Sequence, residues 1–451
     1  MQTTLPSVEL AALSLGLTKA NAAVAARYPG DSGGRQPVHT VYGGAHLFRS
    51  DTVRKLGDLA LRSVAEHAPE PGDLLRAVGL DLPRELARTI QERVLEKLRR
   101  EPVEDFRIDF EDGYGIRTDD EEDGHAAAAA EETAKGMAAG TLPPFLGIRV
   151  KAFTEEMRAR ALRTLDVYLT ALVRATSGKL PGGFVVTLPK VTSPGQVAVL
   201  AEGLGLMEKG LGLRPGALRI ELMIETTQAI FAPDGRVALP ALVDAARGRC
   251  GAAHFGTYDY TASCDVTAAH QSMTHPACDF AKHVIQVSLA GTGIWLSDGA
   301  TTVMPIAPHR ATKGGPPLTA AQITENLAAV HRAWRLHASQ VRHSLEGGYY
   351  QGWDLHPAQL PTRYAAVHAF FLEGLDTSAE RLRNFVEKAA QATLIAGVFD
   401  DAATGQGLLN TFLRAINCGA ITEAEALART GLGLEELRTR SFAKILEKRR
   451  A

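Results

Sequence analysis

The chain has 451 residues, 45% of them hydrophobic and 22% charged, with a formal net charge of −2. Such a length allows one large domain of roughly 250 to 300 residues with extensions, or two or three smaller ones, and the composition can bury a sizeable core. The near-zero charge excludes partners held by bulk electrostatics, so neither nucleic acid nor a membrane is expected.

Residues 1–38 read as a helical segment. The stretch MQTTLPSVELAALSLGLTKANAAVAARYPG is rich in Ala and Leu, lacks a basic start and carries Glu9 and Lys19 in its apolar part. It is expected to be a helix rather than a signal peptide. No run is expected to reach the ~18 apolar residues of a membrane span. Cys250, Cys264, Cys278 and Cys418 form no CxxC pair, which fits inert thiols in a reducing, cytoplasmic setting.

Strand-like segments follow in chain order: HTVYGG (39–44), FRIDFED (106–112), FLGIRVK (145–151), FVVTLPK (184–190), LRIELMIE (218–225), AAHFGTYD (252–259), GIWLSDG (293–299) and YYQGWDLHP (349–357). Helical patterns such as EEMRARALRTLDVYLTALVRAT separate most of them. Strands alternating with helices imply a parallel sheet with right-handed crossovers. This number of units over residues 39–360 predicts a (β/α)8 TIM barrel, and the lack of GxGxxG after an early strand weakens a dinucleotide-binding reading. From 361 to 451 the pattern predicts a helical C-terminal extension. The acidic run Asp119-Asp120-Glu121-Glu122-Asp123 precedes the Ala-rich HAAAAAEETAKGMAAG; it is expected to be the solvated start of a helix, where the dipole favours negative charge.

Barrel active sites lie at the C-terminal ends of the strands. In FRIDFED, Arg107, Asp109 and Glu111 share one face, and Ile108 and Phe110 share the other. Charges facing a barrel interior are costly unless paired or coordinated, so this face is either an ion-pair ladder or the wall of a site. In LRIELMIE the inward set is Glu221, Met223 and Glu225. Asp259, 34 residues after Glu225, ends the next strand-like segment. Two carboxylates at neighbouring strand ends suit Mg²⁺, which keeps positions for water and substrate. FLGIRVK turns Arg149 inward beside Gly147 and Lys151, and an arginine fork suits a carboxylate or enolate oxygen.

The order DFED, IRV, LPK, IET, a segment ending in Asp, DG and GWDLHPAQL resembles the HpcH/HpaI aldolase and citrate lyase β-subunit family, from about Thr40 to Leu360. The resemblance implies metal-assisted enolate chemistry in a TIM barrel. By position, Glu225 and Asp259 match the family's Mg²⁺ or Mn²⁺ ligands, and Arg149 matches the arginine that steadies the oxo-acid or enolate oxygen. Glu111 and Asp112 match an acidic pair that holds the metal's waters or the substrate arginine. A carboxylate at Asp112, where related pyruvate aldolases carry a histidine, is closer to the citrate lyase branch. Lys190 in LPK and Asp109 complete the expected substrate-contacting set. RVK in place of the family's RVN changes the charge beside Arg149.

The function this implies is a Mg²⁺-dependent carbon–carbon lyase or synthase acting on a 3-hydroxy acid or its coenzyme A thioester. It would release or join an oxo acid such as pyruvate, oxaloacetate or glyoxylate. A malate-synthase-like condensing enzyme or an acyl-CoA thioesterase would use the same site, and a metabolite-binding barrel without catalysis is the reading from another class. Family members are commonly trimers or hexamers, so a homo-oligomer is expected. Of the remaining residues, His254, His270, His275 and His283 with Cys264 and Cys278 match no standard zinc spacing. His356, Asp298 and Asp354 are further strand-end candidates, and Tyr258 and Tyr260 read as packing or pocket wall.

Overall fold

In the computed structural model the expected barrel is the architecture observed. Eight parallel strands close on themselves in sequence order: β1 (His39–Gly44), β2 (Asp105–Asp109), β3 (Phe145–Arg149), β4 (Val185–Leu188), β5 (Arg219–Ile224), β6 (Cys250–Phe255), β7 (Trp295–Ala300) and β8 (Gln351–Asp354). The structure describes residues 4–30, 33–311, 314–387, 393–395, 398–400, 402–439 and 445.

The period-2 alternation decides what each strand presents. Ile108, Ile148, Val186, Leu222 and Ala253 face outward and are buried against the surrounding helices, each large side chain contributing roughly 1.5–3 kcal/mol of burial. The inward set is strongly polar. Arg107 of β2 lies level with Tyr42 of β1 and Gly147 of β3. It reaches across the lumen to Glu221 of β5 (Nη2–Oε2 3.2 Å) and also pairs with Asp105. Gly147 makes this crossing possible, since a Cβ there would stand 2.9 Å from the Arg107 side chain and 2.5 Å from the Val185 carbonyl. The inward charges of β2 therefore form a ladder in the lower barrel and a wall of the mouth above it.

The β8–β1 seam is closed by Asp354. Its carboxylate accepts from His39 Nδ1 at 2.8 Å, His337 Nε2 at 2.9 Å and Arg363 Nη2 at 2.8 Å. The Glu104 amide donates to His39 Nε2, which fixes that ring as the Nδ1–H tautomer. Arg363 lies on the helix Leu360–Leu372, whose residues are almost all buried.

Several local expectations change. The helix Asp119–Ala139 does begin at the acidic run, with Thr118 and Glu121 forming a capping box. Its carboxylates are only partly solvated, however: Glu122 is buried against Lys151 (2.7 Å), and Asp123 pairs with Arg160 and Arg163. The helix Ser7–Arg27 forms, with none of its residues buried. Contrary to the sequence reading, it is long and apolar enough, by length and composition alone, to cross a membrane, because Glu9 and Lys19 are few enough to be tolerated. The C-terminal part is not purely helical, since Thr393–Ile395 and Val398–Asp400 pair as a short antiparallel ladder. Both segments are rich in β-branched and aromatic residues, which favour strands.

Candidate active site at the barrel mouth

β2 and β3 deliver the central ion pair. Their register sets Asp109 beside Arg149, and both side chains are almost completely buried. Arg149 donates Nε to Asp109 Oδ1 at 2.7 Å and Nη2 to Oδ2 at 2.6 Å. The same carboxylate accepts the amides of Glu111 (3.0 Å) and Gly113 (2.7 Å). Asp109, expected among the substrate-contacting residues, thus has its oxygens occupied by four protein donors. Its work in this arrangement is to orient Arg149.

The guanidinium lies over Tyr42 and Trp353, 4.7 and 5.4 Å from the ring centroids. Its remaining arm, Nη1, points to Glu111 Oε2 at 3.1 Å and Asp112 Oδ2 at 3.8 Å. Burial and the neighbouring Asp112 charge raise the Glu111 carboxyl, against the pull of Arg149 and Lys190. Burial would raise the Asp112 carboxyl as well, but its hydrogen bond to Glu111 and the Arg149 and Lys190 charges outweigh it and bring the carboxyl below the ordinary value.

Glu225 is the first residue after β5. It is buried, and desolvation together with the Asp259 charge pushes its carboxyl up to about 8. Asp259 does not end a strand as expected. β6 stops at Phe255, Gly256 is still extended and precedes the helix Thr257–Ser263, and Asp259 lies in the first turn of that helix. The two carboxylates nevertheless share one pocket with Lys190. The Lys190 amide donates to Glu225 Oε1 at 2.7 Å, and its ammonium contacts Glu111, Asp112 (3.3 Å) and Asp259 (3.7 Å). Gly256 is required at close quarters, since a Cβ there would meet Glu225 Oε2 at 2.3 Å.

Below this level the lumen holds Tyr42 and Trp353, which the motif reading passed over, and His254, which it weighed only as a zinc ligand. Tyr42 Oη lies 3.1 Å from His254 Nδ1 and 3.4 Å from Glu221. Burial lowers the His254 imidazole to about 4, so it is neutral near pH 7. His254 Nε2, Trp353 Nε1 and Thr257 Oγ1 are buried without a hydrogen-bond partner among the described residues. Parity along HTVYGG, HFGTYD and GWDLHP places Tyr42, His254 and Trp353 on the inward face, which is the signal that could have found them. The other strand-end candidates have structural partners. His356 caps the turn Pro357–Gln359, Asp298 pairs with Lys282 and Ser344, and Tyr258 Oη donates to the Ala300 carbonyl.

Residues 17–445 match the model of a family defined by a domain of unknown function, DUF6986. The chain belongs to that family. No curated protein matches it in sequence. Among solved structures it is similar to a citrate lyase from Burkholderia xenovorans LB400, at 19% identity over 87% of this chain and 95% of that one, with a TM-score of 0.54. Others that align with it include CitE from Mycobacterium tuberculosis in complex with magnesium, acetoacetate and coenzyme A (14% identity, 86% and 99% coverage, TM-score 0.48). A Haloferax volcanii malate synthase with magnesium and glyoxylate also aligns (15% identity, 90% and 98% coverage, TM-score 0.44). The likeness to the Burkholderia enzyme establishes a shared barrel for this member of the DUF6986 family.

Proposed function

We propose that the protein is a divalent-cation-dependent carbon–carbon lyase or condensing enzyme, making or breaking the bond next to the carbonyl of a small oxo acid through an enolate. The observation that carries this reading is Arg149. Two of its nitrogens are fixed on Asp109 while Nη1 faces Glu111 and Asp112 at the mouth. A buried guanidinium already oriented toward developing negative charge stabilises an enolate without reorganisation.

Among the described residues no three His, Cys, Asp or Glu side chains converge as a metal cage. The donor chemistry instead fits Mg²⁺ or Mn²⁺ held by two carboxylates, with water and substrate completing the sphere. Glu225, forced toward its neutral form by burial and by Asp259, is a carboxylate whose charge an added cation would restore. When bound, such an ion supplies Lewis acidity at the oxo-acid oxygens.

The chain's own groups account for the rest. In the cleavage direction Glu111 takes the proton of the hydroxyl β to the substrate carbonyl, the hydroxyl carbon becomes a carbonyl as its bond to the α-carbon breaks, and the electron pair of that bond becomes the enolate of the departing fragment. Arg149 Nη1 holds the enolate oxygen, and Tyr42 and Trp353 shield the guanidinium from water. The proton on Glu111 then returns to carbon. Condensation is the same sequence reversed, and a coenzyme A thioester substrate would provide the enolate from its acyl group. A cytoplasmic location accords with this chemistry.

The test is hydrogen–deuterium exchange at the methyl group of pyruvate, followed by NMR in D₂O with Mg²⁺ or Mn²⁺, with chelator, and with Glu225→Gln. Exchange that needs both the ion and Glu225 is the expected result. Absence of ion binding would end the reading. Ion binding without pyruvate exchange would move the enolate donor to an acyl thioester.

A further inference from the structure

The most unusual side chain of the mouth is Lys190. It follows β4 by two residues and has φ +51°, in the left-handed region that a residue with a Cβ rarely adopts. Its amide donates to the buried Glu225 Oε1 at 2.7 Å, a bond to the charged or neutral carboxyl that holds the strained backbone in place. From this anchor the ammonium extends into contact with Glu111, Asp112 and Asp259. Those carboxylates come from the loop after β2 and the helix after β6, so a single ammonium ties its own loop after β4 to two other walls of the mouth.

Among the described residues the mouth formally holds five carboxylates, Asp109, Glu111, Asp112, Glu225 and Asp259, against two cations, Arg149 and Lys190. Arg149 is immobilised by its bidentate bond and full burial. Lys190 is neither: its side chain is 29% exposed, and a lysine carries its charge on four flexible carbons. Two cations competing for the same few oxygens repel each other strongly at such separations. Of the two residents, only Lys190 can yield.

We propose that the Lys190 ammonium is the resident counter-cation of this carboxylate pocket, and that a divalent ion enters by displacing it toward the solvent side of the mouth. There the ammonium is free to meet the carboxylate of an incoming oxo acid. The inference rests on the divalent-ion reading of Glu225 and Asp259. It adds that loading and substrate capture are coupled through one side chain: the empty site holds itself together with Lys190, and the loaded site presents Lys190 to the anionic substrate. The backbone bond to Glu225 lets the side chain swing while the loop stays fixed.

Two measurements on the full-length protein test this. Lysines are labelled by reductive methylation with and without saturating Mn²⁺, and modification of Lys190 is quantified by peptide mass spectrometry. In parallel, Mn²⁺ affinity is measured by electron paramagnetic resonance for the wild type, Lys190→Met and Glu225→Gln. The expected result is severalfold greater labelling of Lys190 with Mn²⁺, no such increase in Glu225→Gln, and Mn²⁺ binding at least tenfold tighter in Lys190→Met. Mn²⁺ that binds the wild type while Lys190 labelling stays unchanged would overturn the displacement and leave the metal reading standing. Mn²⁺ that binds neither the wild type nor Lys190→Met would overturn both.

Discussion

Asp109→Asn is the most informative single change at this site. Each carboxylate oxygen now accepts two hydrogen bonds: Oδ1 from Arg149 Nε and the Glu111 amide, Oδ2 from Arg149 Nη2 and the Gly113 amide. An amide of the same shape turns one oxygen into a donor facing two donors, and it removes the charge opposite a buried guanidinium. Breaking a buried pair by removing one partner costs about 3–5 kcal/mol. Glu111, 3.1 Å from Nη1, retains part of the compensation, so the lower end, about 3 kcal/mol, is expected. Urea unfolding at pH 7 with chelator, followed by the fluorescence of Trp295, Trp334 and Trp353, measures it. Arg149→Met and the double variant close the cycle. Because the double variant leaves no uncompensated charge, it should be destabilised by clearly less than the two singles together, with a coupling of about 2 kcal/mol or more. A cost below about 1 kcal/mol for Asp109→Asn, or strict additivity in the double variant, would refute the claim that Asp109 is what holds Arg149.

Three further outcomes follow from the same geometry. Glu111→Gln keeps the shape of the proton carrier but not its function, and should slow metal-dependent pyruvate exchange by about 10²- to 10⁴-fold with little change in Mn²⁺ affinity. Gly256→Ala places a methyl against Glu225 Oε2; loss of Mn²⁺ binding with cooperative unfolding retained is expected, and unchanged affinity would remove Glu225 from the ion site. At the β8–β1 seam, burial opposes ionisation of Asp354, yet the Arg363 charge and hydrogen bonds from His337 and His39 hold its carboxyl well below 3.8. A carboxyl depressed in the folded state contributes stability that is complete above its unfolded value and disappears as pH falls through the folded one. Thus Asp354→Asn should be less stable than the wild type at pH 5–7, and the gap should narrow only below about pH 3.8 in acid titrations followed by circular dichroism.

The barrel was legible because its strands are short, apolar outside and separated by amphipathic helices. The inward face of β2 was legible because Arg107, Asp109 and Glu111 alternate with Ile108 and Phe110. Parity, however, gives a side chain its face and not its height in the barrel. Height depends on the stagger between strands, which closure of all eight imposes. Arg107 therefore finds Glu221, 114 residues away, and Asp109 finds Arg149 rather than a ligand; nothing within FRIDFED distinguishes these two fates. Asp259 shows a second limit, since the helix begins at Thr257 and a strand reading carried through to Asp259 gives the residue the wrong local geometry while leaving it at the correct end of the barrel. Lys190 shows a third. Its position depends on a left-handed backbone at a non-glycine residue, and that conformation persists where tertiary contacts over-determine it. Here the over-determining contact is the Glu225 carboxyl, itself buried and short of positive charge. Strain in the backbone and strain in the charge balance thus meet at one hydrogen bond. A substitution that relaxes either should therefore be felt by the other: Lys190→Gly, which removes both the conformational cost and the ammonium, is expected to relieve the backbone strain while raising the affinity of the carboxylates for Mn²⁺, measured by electron paramagnetic resonance.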